Sequence, residues 1–172
     1  MTKRLFLLLL VWSTIVLSGI AQTNEFRGAN FSVQYPDDFL VAGSLPATNG
    51  YEEEGVLPLE FDSATFTSPY EEVQFYVFCP EKKREATDIK ITRDEKESAR
   101  VSKRRGKNTI VTHWTIGAKH GGYARSYQSF YNTQTGVYWI IGIKYNNTKA
   151  YNKYKKEYLA FKKSFVCYSM QD

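Results

Sequence analysis

The sequence predicts an α+β fold: an antiparallel β-meander closed by a C-terminal amphipathic helix. Three observations predict it. Thr109 to Ile116 alternates strictly, with Ile110, Thr112, Trp114 and Ile116 on one side and Thr109, Val111, His113 and Thr115 on the other. Two further runs, Tyr123 to Tyr131 and Val137 to Tyr145, follow it across the turns Lys119-His-Gly-Gly122 and Asn132-Thr-Gln-Thr-Gly136. Finally, Tyr151, Tyr154, Tyr158, Phe161 and Phe165 recur at spacings of 3, 4, 3 and 4, which puts five rings on one helical stripe.

Taken in order, residues 1–21 read as a signal peptide. Lys3 and Arg4 precede an apolar run from Leu5 to Leu17, and Gly19 and Ala21 supply small residues before a cleavage site at Gln22. The run is shorter than the roughly 20 residues a bilayer-spanning helix needs. Residues 22–172 then form a single domain, exported to the periplasm or secreted, with no stable membrane span once the signal is cleaved.

The first strand is Phe31-Ser-Val-Gln-Tyr35, stopped by Pro36. Residues 37–58, with two Pro, three Gly and Glu52-Glu-Glu54, read as a long irregular connection or a weak hairpin. Leu59 to Phe66 is a strand ended by Thr67-Ser-Pro69, and Val73 to Cys79 is a strong strand ended by Pro80. Residues 81–107 stay open. Asp88 to Thr92 suits a short strand and Arg93 to Ala99 a helical turn. Ser98 to Arg105 suits a strand paired with the next through Gly106-Lys-Asn108. The helix runs from Thr148, read as its N-cap, to Phe165.

The chain has 172 residues with 42% hydrophobic and 24% charged positions, enough for one well-formed core. Its charge of +5 suggests nucleic acid at first sight. Loss of residues 1–21 reduces it to +3, and that charge is segregated. Residues 22–80 carry one Arg against ten acids; residues 81–107 carry eleven basic residues against six acids; residues 108–172 carry nine against two. Export and a Lys-rich helix exterior argue against a nucleic-acid partner.

No constellation for catalysis, cofactor or metal stands out, and the reading is of a non-enzyme. There is no Gly-x-Ser-x-Gly elbow, no Gly-rich phosphate loop and no calcium-loop pattern. The two bases a hydrolase could use are His113, on a strand, and His120, in a Gly turn. The acids of Asp37-Asp38, Glu52 to Glu54 and Glu71-Glu72 read as solvated charge. Cys79 and Cys167 lie 88 positions apart in the exported part. They suit either one disulfide or two buried thiols, and spacing alone does not choose. Tyr123, Arg125, Tyr127 and Tyr131 fall on one face of their strand and form the candidate ligand face. If open, it would suit a glycan, peptide or protein; the alternative is a face covered by a helix or loop.

The opening Phe31-Ser-Val-Gln-Tyr-Pro36, the long connection, the run Val137-Tyr-Trp-Ile-Ile-Gly-Ile-Lys-Tyr145 and the closing Phe161-Lys-Lys-Ser-Phe165 together resemble the PsbP-like superfamily. That superfamily holds the extrinsic PsbP proteins of photosystem II, a Ran-binding nuclear-import factor and exported bacterial proteins. The resemblance implies an α/β/α sandwich, with helices on both sides of the antiparallel sheet. It also implies a binding or assembly role rather than catalysis, and it transfers no site residue. The expected function is therefore an exported non-catalytic binding or assembly factor of the cell envelope. Its partner would be another envelope protein or a surface ligand; the alternative is a glycan- or peptide-binding module using exposed Tyr side chains, and an exported hydrolase comes third.

Overall fold

A computed structural model of the chain describes residues 23–44, 62–81 and 89–170. The signal segment, the Glu52 to Glu54 run, the start of the strand expected at Leu59 and most of the stretch from Glu81 to Asp88 lie outside the described residues. The described chain is mostly antiparallel sheet with one C-terminal helix.

Among the described residues, ten strands form two sheets. β1 (Thr23–Arg27), β2 (Phe31–Pro36) and β10 (Val166–Cys167) make a small sheet in the order β1-β2-β10. The large sheet contains β3 (Leu40–Ser44), β4 (Ser63–Thr67), β5 (Val73–Phe78), β6 (Glu95–Arg105), β7 (Thr109–Ala118), β8 (Ala124–Asn132) and β9 (Tyr138–Tyr145). Their order is β3-β4-β5-β9-β8-β7-β6, with every neighbouring pair antiparallel. The helix α1 spans Thr148–Ser164.

Period-2 side-chain placement gives the large sheet two distinct faces. On the first, Phe75 and Val77 of β5 stand beside Ile141 and Ile143 of β9. They are closed over by Phe31 and Val33 of β2 and by Tyr158 and Phe161 of α1. The rings interlock: Phe75 lies 5.0 Å from Phe161 and 5.1 Å from Phe39, and Phe66 lies 5.1 Å from Phe161. The second face carries a separate cluster of Phe78, Trp114, Ile116, Tyr127, Tyr138 and Ile140. Among the described residues there is one α-helix, which lies against the first face, and a short 3-10 turn at Tyr168–Met170.

Several boundaries differ from the sequence reading. β1 and β3 are additional short strands; β3 lies in the stretch read as an irregular connection or a weak hairpin and pairs antiparallel with β4. The segment Arg93 to Ala99 is not a helical turn. Arg93 and Asp94 form a turn and β6 begins at Glu95, because its main chain pairs with β7 from Glu95–Ala118 onward. The helix cap is Asn147 rather than Thr148. Asn147 is extended, and its side-chain oxygen accepts the Ala150 N–H at 2.9 Å. Phe165 leaves the helix as its extended C-cap yet still packs at 5.2 Å on Trp139.

Two glycines make turns that other residues would strain. Gly106 (φ 63°) turns β6 into β7, and Gly136 (φ 78°) closes the β8–β9 loop. In the latter, the Asn132 side chain accepts the N–H groups of Gln134 and Thr135.

The strand order forces one long crossing. β5 is the third strand of the order and β6 the far edge, so the connection between them spans four strand spacings, roughly 19 Å. Its described end, residues 89–94, rests on the second face, where Lys90 O accepts the Arg125 Nη2 proton at 2.6 Å. This crossing shapes the site.

Candidate functional site

The second face holds a recess of about 340 Å³ between the crossing segment and β7, β8 and β9. Register explains its make-up. Trp114 pairs with Tyr127, Thr112 with Ser129 and Ile110 with Tyr131 across β7 and β8; Tyr131 pairs with Tyr138 across β8 and β9. Alternation therefore gathers Trp114, Tyr131 and Tyr138 as aromatic walls. Ile110 and Ile116 come from β7, and Ile89 and Ile91 from the crossing segment. The polar groups are the hydroxyls of Thr112 and Ser129 and the guanidinium of Arg100.

Arg100 stands at the β6 rim, 5.1 Å from the Trp114 ring centroid. Glu97 holds it there, accepting from Nε at 2.9 Å and from Nη2 at 2.6 Å. Burial pushes the Tyr138 hydroxyl above its ordinary pKa, so it stays neutral and keeps its proton. The recess thus offers apolar walls, the Ser129 hydroxyl, a Thr112 hydroxyl bonded to Ser102 Oγ at 2.9 Å and an Arg100 guanidinium paired with Glu97. That suits binding an aromatic or aliphatic group with a nearby anion or hydroxyl.

The four residues of the predicted ligand face do not form one open surface. Tyr127 is 8% exposed, packed 5.4 Å from Trp114 and 5.9 Å from Tyr76. Its ring can settle because the opposite residue is Gly142; a Cβ there would fall inside the ring. Arg125 is engaged with Glu95 at 2.6 Å, with Lys90 O and with the Tyr127 hydroxyl at 3.2 Å. Tyr123 lies just before β8 and donates its hydroxyl to Glu95 at 2.7 Å. These three side chains are engaged within the protein, Tyr127 buried and Tyr123 and Arg125 half-buried. Tyr131 alone of the four lines the recess.

Glu95 is the hub of that interior network. Burial by itself would raise its carboxyl, but the Thr92 N–H, Arg125 and the Tyr123 hydroxyl outweigh burial and hold it at about 2. The group is a fastener between the crossing segment, β6 and β8.

Sequence reasoning missed Ile89, Ile91, Arg100 and Tyr138 as neighbours of Tyr131. A signal was present for Trp114 and Ile110. Registering the hairpin through Lys119 to Gly122 places their alternating side on the face of Tyr127 and Tyr131.

Among the described residues, no hydrogen bond joins either histidine to a Ser, Cys, Asp or Glu side chain. His113 lies on the first face, exposed, and its pKa is lowered by burial and by the charges of Lys162, Lys103 and Arg105. His120 is exposed in the β7–β8 turn. No group of three metal-ligating side chains occurs among the described residues.

Cys79 and Cys167 are both buried thiols with their Sγ atoms 3.4 Å apart. The Cys79 S–H donates to Cys167 Sγ and approaches Asn30 O at 3.6 Å. This hydrogen bond and burial raise the Cys79 thiol. The same bond, with the N–H groups of Ser169 and Met170, lowers Cys167 to about 7 against the opposing effect of burial.

No family model and no curated protein matches the chain. Solved structures do match it. The solution structure of cyanobacterial PsbP (CyanoP) from Synechocystis sp. PCC 6803 is 11% identical, covers 88% of this chain and 95% of its own, and has a TM-score of 0.48. The crystal structure of the Saccharomyces cerevisiae Ran-binding protein Mog1p is 9% identical, with 86% and 96% covered and a TM-score of 0.44. Both are proteins of the PsbP/Mog1 superfamily.

Proposed function

We propose that this chain is an exported, non-catalytic binding or assembly factor of the cell envelope, and that the recess on the second face receives a protein partner. The observation that carries the reading is the recess itself. Trp114, Tyr131 and Tyr138 wall it beside Arg100, with Tyr131 half-buried and the other two 7% exposed, on a sheet face that bears no α-helix among the described residues. Aromatic and Arg side chains are the residues that most often anchor interfaces. The test is capture from envelope fractions with the purified protein and with Thr112→Trp, which fills the recess. Partners recovered by the unmodified protein should drop at least fivefold with the variant. Equal recovery, or no specific recovery by the unmodified protein, overturns the reading.

A glycan or peptide ligand is the second reading, favoured by the hydroxyls of Thr112 and Ser129 beside the same aromatic rings. Stacking on Trp or Tyr with hydroxyl contacts suits a sugar ring. A glycan array and peptide screen negative at millimolar concentration removes it.

Export rests on Lys3, Arg4, the Leu5 to Leu17 run and the small residues Gly19 and Ala21. No helix of the described residues is long and apolar enough to cross a membrane. N-terminal sequencing of the secreted or periplasmic protein should begin at Gln22; a chain that keeps Met1 refutes cleavage.

In that oxidising compartment we propose that Cys79 and Cys167 join. Two thiols lose two protons and two electrons to the disulfide of a thiol–disulfide oxidant, forming one S–S bond. The contact of the two Sγ atoms supports this reading, and Cys167, as the more acidic thiol, is the attacking thiolate. Mass spectrometry of the unreduced protein should show a molecule two hydrogens lighter than its sequence, with neither Cys alkylated until reduction.

A further inference from the structure

β6 is the part of the sheet the fold uses least. It is an eleven-residue strand that pairs with β7 on one side, and among the described residues no strand pairs with its other side. Residues Lys96 to Arg105 are all exposed. The outward N–H and C=O groups of such an edge are a template for another extended chain.

Charge is the usual guard on an edge, and here it has one sign. Lys96, Arg100, Lys103, Arg104 and Arg105 lie on the strand and Lys107 follows in the turn. Of the two acids on β6, Glu95 is turned inward to Arg125 and Glu97 is taken by Arg100. Lys103, Arg104 and Arg105 make no ion pair among the described residues. Register puts Arg104 beside Ile110 on the recess face. Lys103 and Arg105 fall beside Val111 and Thr109 on the opposite face. Uncompensated cations therefore stand on both sides of one free main-chain edge, and one member of the strand, Arg100, also forms the rim of the recess.

We propose, building on the protein-binding reading above, that β6 takes an extended acidic segment of the partner as an added strand. Main-chain hydrogen bonds supply the pairing, and Asp or Glu side chains beside Lys103, Arg104 and Arg105 supply selectivity and steering. A second copy of this chain does not fit, since two β6 edges would set these cations against each other. A nucleic acid offers anions but no strand to pair.

The probe is a ten-residue peptide alternating Glu and Val, titrated against the full chain. Controls are the same peptide with its Val amides N-methylated, heparin as a polyanion without a pairing backbone, and the exposed-site variant Lys103→Glu/Arg104→Glu/Arg105→Glu. Binding of the plain peptide should weaken at least tenfold on N-methylation and at least tenfold in the triple variant. It should also weaken at high salt and slow amide exchange along β6. Equal binding of the N-methylated peptide, binding of heparin alone, no binding at all, or protection away from β6 each overturns strand addition.

Envelope capture separates the two readings. Capture lost in Thr112→Trp but kept in the triple variant leaves the binding reading standing and removes the edge inference. Capture unchanged by either removes both.

Discussion

The two faces of the large sheet are made by the same strands, yet they are closed to different degrees. On the first, Phe66, Phe75 and Phe161 are fully buried under α1 and β2, with Tyr158 among them. On the second, Phe78 and Ile140 are fully buried, while Tyr131 stays half-buried at a recess that Ile89 and Ile91 of the crossing segment line on one side. Tyr127 on that face keeps a polar tip, which meets Arg125. The first face is the fuller core, and the second carries the recess proposed above for recognition.

The sharpest way to break this contrast is to truncate one ring on each face. Phe75→Ala removes contacts to Phe39, Tyr158 and Phe161 at 5.0–5.3 Å. The expected loss is about 4 kcal/mol, as for a large core ring replaced by Ala. Tyr131→Ala, on the recess wall, should cost only about 1 kcal/mol because one side of the ring already faces open space. Urea unfolding of both variants checks this; equal losses would mean the second face is as closed as the first.

The next largest effect concerns the fastener under the crossing segment. Glu95→Gln leaves Arg125 buried without its counter-charge, and should cost about 3 kcal/mol. Protons test the same bond. The folded carboxyl sits at about 2 against an ordinary 4.5. A depressed folded pKa gives stability that is full above the unfolded value and disappears as pH falls. The unmodified protein should lose on the order of 3 kcal/mol through this group between pH 4.5 and 2. Glu95→Gln should lack that part of the acid slope. Parallel slopes for the two proteins would refute the assignment.

The contrast also explains what could be read from the sequence. β7, β8 and β9 were legible because one side of each strand meets a core and alternation survives, with Gly106, Gly121, Gly122 and Gly136 marking the turns. The helix was legible from its ring spacing, since Tyr158 and Phe161 must both reach the first face. β6 was only half legible. Both its sides are wet, so no period-2 apolar signal exists between Lys96 and Arg105. β1 and β3 are five residues each with mostly exposed side chains, and they are fixed by pairing with β2 and β4. The ligand face was legible as a row of rings, but its cover was not. That cover comes from Ile89, Lys90 and Glu95, which only the chain crossing brings over Tyr123, Arg125 and Tyr127.

A smaller perturbation probes how Tyr127 is seated on the second face. The Gly142 backbone lies under its ring, and an added Cβ would overlap ring atoms and stand 3.0 Å from Ser126 O. Gly142→Ala should cost about 2 kcal/mol, because the ring must tilt toward Trp114. The tilt should change Trp fluorescence and weaken partner capture through the recess. A variant with unchanged stability and fluorescence would show that the ring moves freely, against the packed arrangement of Tyr76, Trp114 and Tyr127.

The smallest effect tests whether the faces are energetically separate. Asn147 caps α1, which touches only the first side, and its side chain satisfies the Ala150 N–H. Replacement by Ala leaves that donor unpaired at the helix start and should cost about 1 kcal/mol. Amide exchange should speed first in the opening turn, at Ala150 and Tyr151, and near Tyr154 where α1 meets Phe39. Amides of β7 and β8 around Trp114 and Tyr127 should keep their rates, because those rings lie on the other side of the sheet from α1, whose hydrogen bond to β8 among the described residues is Lys162 Nζ to Gln128 Oε1 at 2.8 Å. If β7 and β8 loosen in step with the helix, the sheet transmits the change from face to face. The recess would then be tuned by the helix rather than independent of it.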